Sequence, residues 1–226
     1  MKPLASFVIP VKDGAAYLAE AVDSCLRQTR KRIEVVLVDD GSTDSTSTII
    51  DHFKAKDGRV RSARFDECRG RSLARNAGID MALSDVILTL DADDIAKETR
   101  AADTLNFFKK NPTVDIVYGQ FQIIDELGRV EGYCDAAPFD WEKLKETKLA
   151  FIGHSTMAFR KSVFEKVQYT DGPYSANGID DWRFQVDAYK AGFKFGAVKR
   201  FLSQYRWIPK PRDEKKILEL KNICLA

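Results

Sequence analysis

The run Asp91-Ala92-Asp93-Asp94 is the stretch of this chain best suited to chemistry. It follows the apolar strand pattern of Leu88-Thr89-Leu90, so three carboxylates come directly after a buried strand. Carboxylates held there without partners would pay a large desolvation penalty. Hard oxygen ligands favour Mg²⁺ or Mn²⁺ over softer metals. The run therefore predicts a divalent cation site, and the alternative is a solvated acidic turn that caps the next helix.

Two other predicted strands also end in polar groups. The segment Pro10-Val11-Lys12-Asp13 closes the first strand, and Asp39-Asp40-Gly41-Ser42 closes the second. In open α/β sheets, ligands bind beyond the carboxyl ends of the strands, so we expect all three polar loops to meet at one rim. A carboxylate there can accept from a base N–H or from ribose hydroxyls. The alternative for the second segment is an ordinary turn followed by a helix cap.

Composition narrows the classes of partner. The 226 residues include 36 basic and 34 acidic side chains, a net charge of +2, which predicts no nucleic-acid partner. Six arginines between positions 59 and 75 could bind phosphates or form a solvated face. The four cysteines lack metal-type spacing, and a reduced, cytoplasmic setting is expected. No apolar run could span a bilayer, so any membrane contact is expected to be peripheral, at the inner face.

The first half of the chain alternates strand and helix patterns. Strands are predicted at 4–9, 33–38, 60–65 and 86–90, and helices at 15–28, 43–53, 71–83 and 97–110. Repeated strand–helix units predict an α/β fold whose mostly parallel central sheet is flanked by helices.

The second half changes character after about residue 112. Residues 115–125 and 130–133 predict a hairpin around Leu127-Gly128, with further short strands at 155–159 and 193–198. Helices are predicted at 140–148 and 180–190, and an amphipathic helix at 213–225 has Ile217, Leu220 and Cys224 on one side. We expect a single mixed α/β domain over 1–226, with halves at about 1–112 and 113–208 and a C-terminal helix in 209–226.

An ordered set of motifs resembles glycosyltransferase family 2, which has the GT-A fold. The set comprises Val8-Ile9-Pro10-Val11-Lys12-Asp13, Glu34 to Asp44, Gly70 to Gly78, Asp91-Ala92-Asp93-Asp94, Phe159-Arg160 and Asp180-Asp181-Trp182. The match covers nearly the whole chain. Each piece alone is weak, but the pieces in this order are specific.

The resemblance assigns the first half to a nucleotide-sugar donor. Pro10 and Lys12 would border the base, Asp40 would accept from a uracil N–H, and Arg75 would face the nucleotide. The full set of implied donor-binding residues is Pro10, Val11, Lys12, Asp40, Arg75, Asp91 and Ala92. Asp93 would bind Mn²⁺ or Mg²⁺ directly, helped by Asp91, although Asp94 could replace either because the three carboxylates are so close in sequence.

In the second half the resemblance makes Asp181 the catalytic base at a helix start, with Asp180 where the family commonly has Glu. The alternative is a plain helix cap. Asp180, Trp182 and His154 are candidates for the acceptor side. A structural role is favoured for a lone histidine, and tryptophans more often belong to a core. Many family members have a His after the Tyr-Arg element. Here Tyr205-Arg206 is followed by Trp207, so Arg206 or Lys210 could bind the diphosphate instead.

The activity implied is inverting, metal-dependent transfer of a hexosyl or N-acetylhexosaminyl group from a nucleoside-diphosphate donor, expected to be a UDP-sugar. The acceptor would be a hydroxyl of a growing polysaccharide or a lipid-linked glycan. Two alternatives are a polyprenyl-phosphate acceptor and a nucleotide-sugar-binding module without catalysis. A nicotinamide dehydrogenase is disfavoured, because the turn after Ile9 is not glycine-rich.

Overall fold

Runs of aliphatic and β-branched residues form the strands of one sheet that extends through both halves of the chain. The computed structural model describes residues 1–148, 152–209 and 213–225. Its strands are β1 Ala5–Val11, β2 Ile33–Asp39, β3 Val60–Arg64, β4 Val86–Thr89, β5 Ile95–Ala96, β6 Ile116–Ile124, β7 Val130–Cys134, β8 Ala158–Arg160 and β9 Phe195–Arg206. The strand order is β3-β2-β1-β4-β8-β6-β9-β5, with β7 paired to β6.

Helices cover both faces of this sheet. They are α1 Leu18–Leu26, α2 Thr46–Lys56, α3 Arg71–Met81, α4 Arg100–Lys110, α5 Trp141–Thr147, α6 Lys161–Phe164, α7 Pro173–Ala176, α8 Asp180–Lys190 and α9 Glu214–Leu225, with a 3₁₀ turn at His154–Thr156. In the described part of the chain, no helix has the length and hydrophobicity needed to cross a bilayer.

The strand directions confirm the expected mixed α/β sheet. β1 pairs in parallel with β2 and β4, β3 with β2, and β9 with β6. Antiparallel pairs join β8 to β4 and β6, β7 to β6, and β5 to β9. Among the described strands, β5, β7 and β8 therefore oppose the common direction. Long crossovers produce the parallel pairs, including β6–β9 in the second half, and the predicted hairpin produces the β6–β7 pair.

Successive side chains of the central strands point to opposite faces of the sheet, and this divides the core into two layers. Phe7 and Ile9 of β1 pack on the α1, α2 and α4 side, whereas Val8 packs with Ile79 of α3 and Phe184 of α8. Both faces are buried, as a parallel sheet between helices requires. The C-terminal helix α9 contributes to a third cluster, in which the three residues predicted on one side, Ile217, Leu220 and Cys224, are buried.

Two strands of the second half differ from expectation. The strand expected at 155–159 is limited to Ala158–Arg160, because the backbone N–H and hydroxyl of Thr156 both bond to the Gly153 carbonyl and close a 3₁₀ turn. The strand expected at 193–198 continues to Arg206, since its polar and exposed residues still pair with β6 through two register shifts. The first difference arises from a local turn, and the second from pairing with a strand distant in sequence. Both affect segments that contribute to the site described next.

Candidate active site

The three polar loops start side by side at one rim of the sheet. Val11 at the end of β1 is opposite Asp39 at the end of β2, and the Asp40 N–H donates to the Val11 carbonyl at 2.8 Å. On the other side of β1, the Leu90 N–H donates to the Val8 carbonyl at 3.1 Å. This register places the segments after β1, β2 and β4 next to one another, as a parallel sheet requires.

The loops after β1 and β2 are tied together by polar contacts. Lys12 Nζ donates to the Gly41 carbonyl at 3.1 Å, and the Asp13 carboxylate accepts from the Thr43 N–H at 2.7 Å. Pro10 and Val11 are buried within β1, whereas Lys12 is exposed. The two loops form one surface, and of the predicted base-binding residues it is Lys12 whose side chain is open to a ligand.

Asp40 is almost fully buried and organises the segment before α3. Its Oδ1 accepts from the Arg69 N–H at 2.7 Å, and its Oδ2 accepts from the Gly70 N–H at 3.0 Å. Gly41 has a φ of +68°, and a Cβ there would lie 2.6 Å from the Glu67 carbonyl carbon, so only glycine lets the two segments pack this closely. The turn expected in this segment is closed by Asp39, whose Oδ1 accepts from the Ser42 N–H at 2.8 Å. Binding of uracil by Asp40 stays a prediction.

Asp91 is the carboxylate of the acidic run with the most contacts to the second half of the chain. Its N–H donates to Ser155 Oγ at 3.0 Å, and its Oδ1 lies 3.1 Å from Arg75 Nη2 and 3.3 Å from His154 Nδ1. Burial opposes its charge, but His154, Arg75 and Arg71 outweigh that effect and hold the pKa of Asp91 below its usual range. This carboxyl is therefore ionised at neutral pH, and its side chain is about one-third exposed.

The structure separates the three carboxylates of the acidic run. Asp94 is fully buried, and its Oδ1 accepts from the Arg206 N–H at 2.7 Å. Burial, together with the charges of Asp91 and Asp93, raises the pKa of Asp94. Asp91 and Asp93 are partly exposed. The choice among the three carboxylates as metal ligands is thereby narrowed, because Asp94 faces the interior while Asp91 and Asp93 remain within reach of a ligand.

The carboxylates of Asp91 and Asp93 suit a hard cation that has few protein ligands. Asp91 and Asp93 offer carboxylate oxygens, the ligand type that Mg²⁺ and Mn²⁺ prefer. Within residues 1–148, 152–209 and 213–225, no group of three or more His, Cys, Asp or Glu side chains converges as a metal cage. The two residues fit a cation whose remaining ligands would be diphosphate oxygens and water, as at other phosphate sites.

Arg75 joins the acidic run to the start of α8. Its guanidinium is 4% exposed, donates through Nη2 to Asp91 and through Nη1 to Asp180, and lies 4.7 Å above the ring of Tyr169. Burial disfavours its charge, but the carboxylates of Asp180 and Asp91 outweigh that effect and raise the pKa of Arg75. A permanently charged arginine therefore links the predicted metal side to the predicted base side.

The adjacent aspartates at the start of α8 have different environments. Asp180 is 2% exposed and also accepts from Ser72 Oγ at 3.4 Å. Its expected acceptor-side position is corrected, because its carboxylate faces the interior and pairs with Arg75. Asp181 is partly exposed and accepts from the Trp182 N–H at 2.7 Å. Burial and the charge of Asp180 raise the pKa of Asp181, although His154 acts in the opposite direction. A raised pKa brings a carboxylate closer to the basicity a general base requires.

The expected acceptor-side position of Trp182 is also corrected. Its side chain is 1% exposed and packs in the third cluster against α9, with Lys221 Nζ 5.5 Å from the ring. No ring face is therefore open to a sugar. His154 is 8% exposed and lies between Asp91 and the Tyr169 hydroxyl, which is 3.1 Å from His154 Nε2. These contacts favour the structural role for His154.

Of the two diphosphate candidates, Arg206 is the last residue of β9. Arg206 is buried and donates to backbone carbonyls of the acidic run and of the β6–β7 turn. These contacts do not favour a direct diphosphate role, which stays a prediction. Lys210 lies outside the described residues. The sequence pattern missed Tyr169, which contacts both Arg75 and His154, because no motif surrounds it.

Most of the sequence matches a known family model. Residues 6–168, more than half of the chain, match the model for glycosyl transferase family 2. The chain belongs to glycosyltransferase family 2. It is 33% identical over 207 residues to the glycosyltransferase GlyG of Streptococcus pneumoniae, covering 85% of this chain and 68% of that protein. It is 32% identical over 193 residues to a PGL/p-HBAD biosynthesis glycosyltransferase of Mycobacterium bovis, covering 83% of this chain and 70% of that one.

Solved structures show that this family 2 chain has the GT-A fold. The S. aureus TarS fragment 1–349 in complex with UDP-GlcNAc superposes with a TM-score of 0.77 at 18% identity, over 98% of this chain and 66% of that one. The mannosyltransferase PcManGT from Pyrobaculum calidifontis, in complex with GDP-Man and Mn²⁺, gives a TM-score of 0.68 at 20% identity, over 93% of this chain and 58% of that one. The chain thus spans about two thirds or less of these solved chains.

Proposed function

We propose that this protein transfers a sugar, a hexose or an N-acetylhexosamine, from a UDP-sugar to a hydroxyl group of a glycan or lipid-linked glycan, with inversion at the anomeric carbon. In this proposal the transfer requires Mn²⁺ or Mg²⁺, and Asp181 is the base. Cytoplasmic location and peripheral membrane contact remain predictions.

The observation that carries this proposal is the bridge made by Arg75. One buried guanidinium contacts both Asp91 in the acidic run and Asp180, the residue before Asp181. A donor bound at the acidic run would therefore have Asp181 on the adjacent side of the same site. Transfer with inversion needs the base and the leaving group on opposite sides of the anomeric carbon, so a sugar bound between the acidic run and the start of α8 would have one group on each side.

Each residue then has a distinct part in the reaction. Asp181 would accept the proton of the acceptor hydroxyl as that oxygen attacks the sugar. Asp180 and Arg75 would fix the start of α8, so that the Asp181 carboxylate stays at its position. Asp91 and Asp93 would hold the divalent cation, which neutralises charge on the departing diphosphate when bound. Lys12 and Asp40 would border the base.

Related complexes support the class of donor. S. aureus TarS has been solved with UDP and with UDP-GlcNAc, and PcManGT with GDP-Man and Mn²⁺. We propose the pyrimidine nucleotide because the family resemblance makes Asp40 the acceptor for a uracil N–H, and Asp40 precedes Gly41, whose carbonyl Lys12 contacts. A uracil ring N–H can donate to such a carboxylate.

The test is a donor screen followed by a base variant. UDP-glucose, UDP-galactose, UDP-GlcNAc and the GDP-sugars are compared by release of nucleoside diphosphate with Mn²⁺ and acceptor glycans. Asp181→Asn should lower transfer by about 100-fold or more and leave UDP affinity within a few-fold. If the Asp181→Asn variant keeps more than about a tenth of wild-type transfer, Asp181 is not the base. If the wild-type protein binds donors but transfers to no glycan or polyprenyl phosphate, it is a binding module.

A further inference from the structure

Arg206 is a buried arginine whose side chain contacts three separate parts of the chain. Its Nε donates to the Asp93 carbonyl at 2.9 Å, and its Nη1 donates to the carbonyls of Asp125 and Glu126, each at 3.0 Å. Its Nη2 donates to Glu20 Oε2 at 2.6 Å. These bonds connect the acidic run, the β6–β7 turn and helix α1.

The backbone of the same residue holds the next position of the acidic run. The Arg206 N–H donates to Asp94 Oδ1 at 2.7 Å, and Asp94 is fully buried. Arg206 therefore binds the main chain of Asp93 and the side chain of Asp94. Two consecutive residues anchored to one strand end leave the backbone between them little freedom to rotate.

We propose that Arg206 is a positioning residue that sets the direction of the Asp93 carboxylate, and that it does not bind the diphosphate itself. This inference rests on the proposed function, in which Asp93 is a ligand of the divalent cation. Partners behind a metal ligand orient it, and their loss typically lowers metal affinity 10- to 100-fold. Arg206 acts here on the main chain of the ligand rather than on its carboxylate.

The chemistry of the group explains why an arginine occupies this position. Three of its bonds go to carbonyls of two separate segments, and a planar guanidinium offers five N–H donors in a rigid fork. The side chain is 2% exposed, and its charge is balanced by the half-exposed Glu20. Its guanidinium also lies 4.5 Å from the ring of Tyr17. A lysine could keep the charge beside Glu20 but could not reach all three carbonyls at once.

The experiment measures Mn²⁺ binding by electron paramagnetic resonance, with and without UDP, and UDP affinity without metal by calorimetry. Arg206→Lys and Arg206→Met should weaken Mn²⁺ binding in the presence of UDP by about tenfold or more, while metal-free UDP affinity changes less than about threefold. Arg206→Lys should retain more thermal stability than Arg206→Met, because it keeps the ion pair with Glu20.

Arg160→Met is the matched control. Arg160 also donates to two backbone carbonyls and lies 4.8 Å from an aromatic ring, that of Phe108, but it is paired with Val86 at the opposite end of β4. This control should lower the melting temperature and leave Mn²⁺ binding unchanged.

The outcomes separate the inference from the proposed function. A wild-type protein without UDP-dependent Mn²⁺ binding would overturn the metal-dependent function itself. A wild type that binds both ligands, with an Arg206→Lys variant of the same Mn²⁺ affinity, would overturn only the positioning role. If Arg206→Met fails to fold, the lysine variant decides the question.

Discussion

The buried guanidinium of Arg75 donates a hydrogen bond to the carboxylate of Asp180, 105 residues further along the chain. Both side chains are less than 5% exposed, so each needs the other to remain charged in the interior. The same guanidinium reaches Asp91 with its second nitrogen. These two bonds from one side chain connect the two sides of the candidate site, and they lead to the first prediction.

Arg75→Met should destabilise the fold strongly, because it leaves the carboxylate of Asp180 buried without its cation. Loss of one partner of a buried pair costs about 3–5 kcal/mol of unfolding free energy. Adding Asp180→Asn to that variant should recover part of the loss. Urea unfolding of the two single variants and the double variant measures this. A double variant whose loss equals the sum of the single losses would mean that the pair is not coupled.

A second prediction concerns the acidity of Asp181. Its pKa is raised above 3.8, chiefly by burial, so the folded protein holds that proton more tightly than the unfolded chain. Stability from this group is present below the unfolded pKa and declines as pH rises through the folded value. Asp181→Asn should therefore increase the melting temperature at pH 7.5, and the increase should vanish near pH 4. Thermal unfolding across this range provides the measurement.

The opposite sign is expected for a carboxylate with a lowered pKa. Asp57 is bonded to the Arg59 side chain, which lowers the pKa of Asp57, so its stabilisation is present at neutral pH and is lost as pH falls. Asp57→Asn should lower the melting temperature at pH 7.5. Equal pH dependence in the two variants would contradict the environments described for them.

A further prediction tests whether Asp40, which follows β2, contributes to nucleotide binding. Asp40→Ala removes the acceptor for the Arg69 and Gly70 N–H groups and the proposed acceptor for uracil. Loss of a buried hydrogen-bond partner costs about 1–3 kcal/mol, so UDP affinity should fall by roughly 5- to 150-fold. Asp40→Asn, which keeps the shape and one acceptor oxygen, should lose less. Unchanged UDP affinity of the alanine variant in calorimetry would remove Asp40 from the nucleotide site.

The buried position of Trp182 predicts a loss of stability rather than a loss of acceptor binding. Trp182→Ala should lower the unfolding free energy by about 3–5 kcal/mol, since it leaves a cavity between α8 and α9. Trp207, which is 49% exposed, is the matched control, and Trp207→Ala should cost much less. Urea unfolding compares the two. Similar losses in both variants would contradict the packing described here.

Much of this protein could be predicted from local pattern alone. The alternating strand and helix segments predicted the α/β fold, and the hairpin around Leu127-Gly128 and the helix from Asp180 to Lys190 occur where expected. The order of the motifs along the chain indicated the family, and the family model confirms it. Such features depend on hydrophobic periodicity and on turn residues, which are properties of neighbouring positions.

Tertiary structure decided which side chains face the site. Three carboxylates adjacent in sequence are equivalent as a pattern, yet Asp94 is buried under the strand end of Arg206 while Asp91 meets Arg75. Tyr169 has no motif and still contacts two site residues. The reason is that a side chain's burial and its partners are set by elements distant in sequence, and sheet pairing brings those elements together only in the folded chain.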